Sequence, residues 1–204
     1  PPLDLVSGTS VGAINGAYLA SVLHDPVAGV ERLVALWRRL RLSDVLGFGL
    51  LQARRLHRVL LGGRRGAGLF DADPMTRIIE RGTDWRQLAR NVRAGRLRGL
   101  TVTATHIPTG RPTCFIDRAP GVAMPHGLPR GIRVRPTHIL PHHVLASAAI
   151  PIVFPPVPIR AQLYCDGGLR LNTPLSPALH MGASRVLVMA MSTAEAGTRV
   201  EVPE

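Results

Sequence analysis

Lysine is missing altogether: each of the 25 basic residues is an arginine. Aromatic residues make up only 4% of the chain, so its core must rest on Leu, Val, Ile and Ala. With just two cysteines, Cys114 and Cys165, a disulfide framework is excluded. They also lack the spacing of a metal site and point only to a reducing compartment. No apolar run is fit to span a bilayer, because the most apolar stretch, residues 144–159, is interrupted by four prolines. Neither a spanning helix nor a signal peptide is read from the sequence, and the expected location is cytoplasmic or peripheral to a membrane. The chain opens on Pro1-Pro2 rather than methionine and enters a strand within a few residues, the expectation being a fragment or an incompletely assigned start.

What is present suffices for one domain: 204 residues, 46% of them hydrophobic, can bury a sizeable core. The acidic residues number 13, which leaves a net charge of +12. Beside abundant Ala, Gly and Pro, this arginine excess has two readings. One is the composition bias of a GC-rich genome; the other is attraction to anionic lipid. Nucleic acid is not expected as a partner, since no binding motif accompanies the charge and the few aromatics are not interleaved with arginines. The oligomeric state is not legible.

Gly8-Thr9-Ser10-Val11-Gly12 is the chain's most informative motif. A G-x-S-x-G at a strand-to-helix junction builds a nucleophile elbow, in which the serine backbone is strained and its neighbours must lack bulk. Leu3, Leu5 and Val6 read as the end of a buried strand, while Ala13, Ile14, Gly16, Ala17, Leu19 and Ala20 continue as a tightly packing helix. Ser10 then stands at a helix N-terminus, where backbone N–H groups and the dipole favour an oxyanion. The alternative is a Gly-rich turn with an ordinary serine.

Further along, residues 27–42 carry apolar positions at the spacing of an amphipathic helix. Residues 45–68 mix leucines with arginines and end in glycines, which reads either as a packed surface helix or as a basic cap lying on a membrane. Asp73 and Pro74 open a helix over 71–81 as N-cap and first helical residue, and a second covers 84–91. Strands are expected at 100–105 and 113–116 across a turn at 108–110, followed by a loop over 118–136. A helix over 142–149, a strand over 163–165, a helix over 176–181 and a buried strand over 186–191 complete the pattern. Strands alternating with helices point to an α/β chain: a three-layer α/β/α sandwich with a mostly parallel central sheet.

A serine hydroxyl needs a base. Among eight histidines only His180 follows a plausible acid, Asp166, in the order used by α/β-hydrolase triads. His180 also stands just before Gly182, where a histidine commonly caps a helix. Asp166 is the stronger candidate by itself, since Gly167 and Gly168 behind it let the backbone turn and leave the carboxylate unobstructed. Asp-Gly is equally an ordinary turn signal.

Together these residues resemble the patatin-like phospholipases. The elbow and its small-residue helix are similar to that family's, from Gly8 to Ala17. Ala146-Ser147-Ala148-Ala149-Ile150-Pro151, followed by Phe154-Pro155-Pro156-Val157, resembles the helix and proline-rich bend before its aspartate. Asp166-Gly167-Gly168 fits its D-G-[AG] motif, and Asn172-Thr173-Pro174 its N-x-P segment. The resemblance covers residues 1–192 as one acyl hydrolase domain and leaves 193–204 as a tail. It implies a lipid acyl hydrolase of the phospholipase A or esterase type, with Ser10 as nucleophile, Asp166 as base and an acyl-enzyme intermediate. It implies no metal and no cofactor, and a lipid or other ester as substrate, with peripheral docking to anionic membranes. The family's glycine-rich oxyanion loop is expected upstream of residue 1. His106 stands where the family often has an acidic residue and reads as structural. Two rivals remain: a hydrolase with a Ser10–Asp166–His180 triad, and a catalytically defective scaffold that binds anionic lipid.

Overall fold

The structure, a computed structural model, describes residues 3–46 and 72–189. Strand β1 (Leu5–Thr9) runs straight into helix α1 (Val11–Ser21), with the single residue Ser10 between them. Helix α2 (Pro26–Arg39) follows, opened by a proline whose missing N–H costs nothing in the first turn. Short α3 (Leu42–Leu46) leads out of the first described stretch. The basic segment expected over 45–68 lies outside the described residues, apart from its first two.

Helix α4 (Asp73–Gly82) forms in the stretch expected over 71–81, but the cap is corrected: Ala72 is the N-cap, and Asp73 is the first helical residue. In α5 (Trp85–Arg93), Asp84 is the N-cap and its Oδ1 accepts the Gln87 N–H at 2.8 Å. Strands β2 (Gly99–His106) and β3 (Arg111–Arg118) form a hairpin, turned at Gly110 in the left-handed conformation (φ 61°) that glycine adopts without strain. The expected loop over 118–136 holds, except that its first residue, Arg118, still belongs to β3 and its last four form β4 (Arg133–Pro136), parallel to β3. Helix α6 (Pro141–Ala148), strands β5 (Val157–Ile159) and β6 (Gln162–Asp166), and helix α7 (Leu175–His180) follow in the described residues.

The architecture is α/β around a six-stranded mixed sheet. The β1–β2 and β3–β4 pairings are parallel, whereas β2–β3, β2–β6 and β5–β6 are antiparallel. Tight turns explain the β2–β3 and β5–β6 pairs, because a connection of a few residues cannot cross over to a parallel neighbour. One face of β2 carries Leu100, Val102 and Ala104 into a core with Ala13, Ala17 and Ala20 of α1, Leu88 and Val92 of α5, and Val144 of α6. Small residues on α1 let it press close: a Cβ on Gly16 would meet Val6 at 2.9 Å. The other face is covered more thinly, by Met181 after α7 and by Val122, Met124 and Ile132, around Cys114 and Ile116.

One expectation is corrected. Of the buried strand expected over 186–191, residues 190 and 191 lie outside the described residues, and 186–189 do not form one: Leu187 and Met189 are 85% and 78% exposed, and among the described residues the segment pairs with no strand. Four apolar residues in a row carry the hydrophobic signal of a buried strand, but a strand also needs a neighbour to satisfy its backbone.

Candidate active site

Strand β2 acts as a template for the site. Its residues up to Thr103 pair with β1, ending at Thr9 opposite Thr103; from Ala104 onward they pair with β6, beginning at Asp166 opposite Ala104. At this seam β1 stops and β6 arrives, so Ser10 and Asp166, 156 positions apart, are brought side by side. The Ser10 hydroxyl donates to Asp166 Oδ2 at 2.6 Å.

Each partner is held from several sides. Ser10 adopts φ 56°, ψ −127°, a region that L-residues avoid. Such a conformation costs on the order of 1–3 kcal/mol and persists only where the surroundings over-determine it. Here the Ser10 carbonyl accepts the N–H groups of Ala13 (2.9 Å) and Ile14 (3.3 Å), and its own N–H donates to Ser147 Oγ at 2.9 Å. The Thr9 hydroxyl donates to the Leu171 carbonyl at 2.9 Å and fixes the residue before it. Asp166 is buried, 5% exposed; its N–H donates to the Ala149 carbonyl and its carbonyl accepts the Thr105 hydroxyl, both at 2.8 Å. Its Oδ1 accepts the Gly168 N–H at 2.6 Å, which leaves Oδ2 facing Ser10.

The glycines divide by role. A Cβ on Gly8 would overlap the Gly12 carbonyl, so the elbow closes only without a side chain there. A Cβ on Gly12 would meet nothing within 4 Å. The expectation that both flanking glycines are required by crowding is therefore corrected for Gly12, which faces open space. A Cβ on Gly167 would overlap the Thr103 carbonyl, and one on Gly168 would sit 3.0 Å from Asp166 Oδ1.

Helix α1 begins immediately after Ser10. Serine is a good N-cap, yet its hydroxyl is committed to Asp166 and makes no cap bond, and no acidic residue stands in the first turn. By helix geometry the N–H groups of Val11 and Gly12 have no intrahelical acceptor. With the dipole behind them, they form a positive edge beside the serine oxygen.

None of the described histidines joins this pair. His180 is exposed and, among the described residues, bonds only within α7: its Nδ1–H donates to the Ser176 carbonyl at 2.8 Å and approaches the Ser176 hydroxyl at 3.3 Å. His106 is buried in a knot of its own, with Thr109 and Gln162 each at 2.7 Å and Arg133 at 3.2 Å, which accords with a structural role. His138 meets Asp117 at 3.3 Å, and His143 accepts the Leu140 N–H at 3.1 Å. Burial pushes the Cys114 thiol up to about 11, so it is no rival nucleophile. Among the described residues no group of three or more His, Cys, Asp or Glu is placed to hold a metal ion. Two shallow grooves run along α2 and between α3 and α4, and neither is lined by Ser10 or Asp166.

Ser147 is the site residue whose contribution the sequence concealed. It belongs to a motif that marked a helix before a bend, and the only hint of more was a hydroxyl among alanines. Residues 1–179 match the family model described as patatin-like phospholipase. No curated protein matches the chain.

Proposed function

The chain belongs to the patatin-like phospholipase family, and from that premise we propose that it is a serine lipid acyl hydrolase using Ser10 and Asp166 as a catalytic dyad. One observation carries the reading: the 2.6 Å hydrogen bond from Ser10 Oγ to a carboxylate oxygen, made at a strained elbow with no histidine between.

In the first half-reaction Ser10 Oγ attacks the ester carbonyl carbon while Asp166 Oδ2 takes the hydroxyl proton. The carbonyl π pair moves onto oxygen, where the first N–H groups of α1 stabilise the developing charge. Collapse of the tetrahedral intermediate breaks the C–O bond, and Asp166 returns its proton to the departing alcohol. Water then replaces the alcohol. Asp166 deprotonates it as it attacks the acyl-serine, and the second collapse frees the fatty acid and restores the Ser10 hydroxyl.

Residues 1–192 form the acyl hydrolase domain in this reading, with 193–204 as a tail. The net charge of +12 brings the protein to anionic membranes, where its substrate lies. No described helix is long and apolar enough to cross a bilayer. The test is covalent labelling by a fluorophosphonate together with hydrolysis of a phospholipid and a p-nitrophenyl ester. Labelling of Ser10 that disappears in Ser10→Ala, with hydrolysis lost in parallel, is the expected outcome. Binding to anionic vesicles with no labelling at all would favour the defective lipid-binding scaffold.

A further inference from the structure

We propose that Ser147 is a positioning residue for the nucleophile, bridging the Ser10 amide to the Thr103 carbonyl so that the elbow keeps the Ser10 hydroxyl on Asp166. The inference rests on the dyad reading above and extends it to a third side chain.

Ser147 is fully buried, 0% exposed, in α6 among Val144, Ala146 and Ala148. A hydroxyl in such a place must be satisfied. Its Oγ accepts the Ser10 N–H at 2.9 Å and donates to the Thr103 carbonyl at 2.6 Å. Both partners are backbone groups at the seam of the sheet. Ser10 lies one residue beyond the last ladder pair of β1 and precedes the first residue of α1, so its N–H has neither a strand nor a helix partner. The Thr103 carbonyl stands where β2 changes neighbours from β1 to β6, against Gly167 of the aspartate turn. One hydroxyl therefore ties α6 and the elbow to β2 at the point where that strand passes from β1 to β6.

Two consequences follow for the chemistry. The strained φ of Ser10 is held by a bond on its N–H side as well as by the helix bonds on its carbonyl. The Ser10 amide is also occupied, which leaves oxyanion stabilisation to the amides that follow it. Ser147 touches no reacting atom, so its effect is on the placement of Oγ and belongs in kcat, leaving ground-state substrate binding alone.

The test compares Ser147→Ala with Val144→Ala in the full-length protein. Val144 is equally buried in α6 and has no polar atom to offer the elbow. Turnover is measured well below the Tm of each variant. Ser147→Ala is expected to lower kcat by about 10- to 100-fold with KM within about two-fold, and to slow fluorophosphonate labelling of Ser10 by a similar factor. Val144→Ala is expected to lower Tm while kcat stays within about two-fold of wild type. A Ser147→Ala variant with lowered Tm but wild-type kcat and labelling rate overturns the proposal, because that is what a merely structural hydroxyl would give. Should Ser147→Ala not fold, Ser147→Cys carries the comparison: its weaker acceptor is expected to cost kcat several-fold at unchanged KM, and wild-type kcat overturns the idea. Wild-type turnover in Ser10→Ala would instead remove the dyad itself, an outcome distinct from the failure of Ser147 alone.

Discussion

Gly8 and Gly12 flank the same serine, yet only Gly8 is required by space: a Cβ there would overlap the carbonyl of Gly12, while a Cβ on Gly12 would meet nothing within 4 Å. The two positions of one motif therefore serve different ends. Gly8 lets the first turn of α1 fold back over the end of β1. Gly12 faces open space and is not demanded by packing.

This asymmetry is testable by stability alone. Gly8→Ala forces backbone against backbone and is expected to cost about 1–3 kcal/mol or more. Gly12→Ala places a methyl in open space within the first turn of a helix. It is expected to be neutral or to stabilise by up to about 0.5–1 kcal/mol. Urea denaturation of the two variants beside wild type decides the matter, and equal losses would contradict the structure.

A second prediction concerns acid. His143 is buried against Phe115, ring centroids 4.8 Å apart, and next to His142 at 4.1 Å. Burial first, and then the neighbouring His142, push its pKa down to about 4 from the ordinary 6.5. The unfolded chain thus binds this proton more readily than the folded one. The stability that follows is present above pH 6.5 and is lost progressively as pH falls towards about 4, on the order of 1–3 kcal/mol in all. Urea midpoints measured between pH 7 and pH 4.5 should fall less steeply in His143→Gln than in wild type. Parallel slopes for the two proteins would show that His143 does not titrate in this way.

Local signals made much of this molecule legible. The elbow, the helix expected over 84–91, the β2–β3 hairpin and the aspartate turn all rest on chemistry within a few residues, and each lies where its sequence implied. What escaped depends on neighbours distant in sequence. Strand β4 exists because β3 offers it a parallel edge, and β5 lies within a proline-rich bend whose composition argues against a strand. The apolar run at 186–189 shows the converse, a strand-like pattern that pairs with nothing described. In the site, Ser10 and Asp166 were each conspicuous from their glycines. That β2 changes partners between Thr103 and Ala104, and so sets them together, is a property of register that no local pattern carries. Ser147 was hidden for the same reason, since its two partners lie 137 and 44 residues away.

The sharpest contrast lies between Asp166 and His180, the two groups that competed for the role of base. In Asp166→Asn the side-chain oxygen can still accept the Gly168 N–H, so the turn should survive and the fold with it. The atom facing Ser10 then becomes an amide nitrogen, which donates where the carboxylate accepted, and no group remains to take the hydroxyl proton. Loss of a positioned general base typically costs on the order of 100- to 10,000-fold, and that is the fall expected in kcat/KM for a p-nitrophenyl ester. His180 is exposed, its Nδ1–H donates to Ser176 one helical turn back, and it has no hydrogen bond to either member of the pair. His180→Ala should therefore stay within about two-fold of wild type, a surface change remote from any charge developing on the substrate. If His180→Ala were inactive while folded, a triad would have to assemble by a rearrangement of α7 towards the elbow. If Asp166→Asn kept wild-type turnover, the short hydrogen bond at the seam of the sheet would have to be structural, and the base would have to be sought elsewhere.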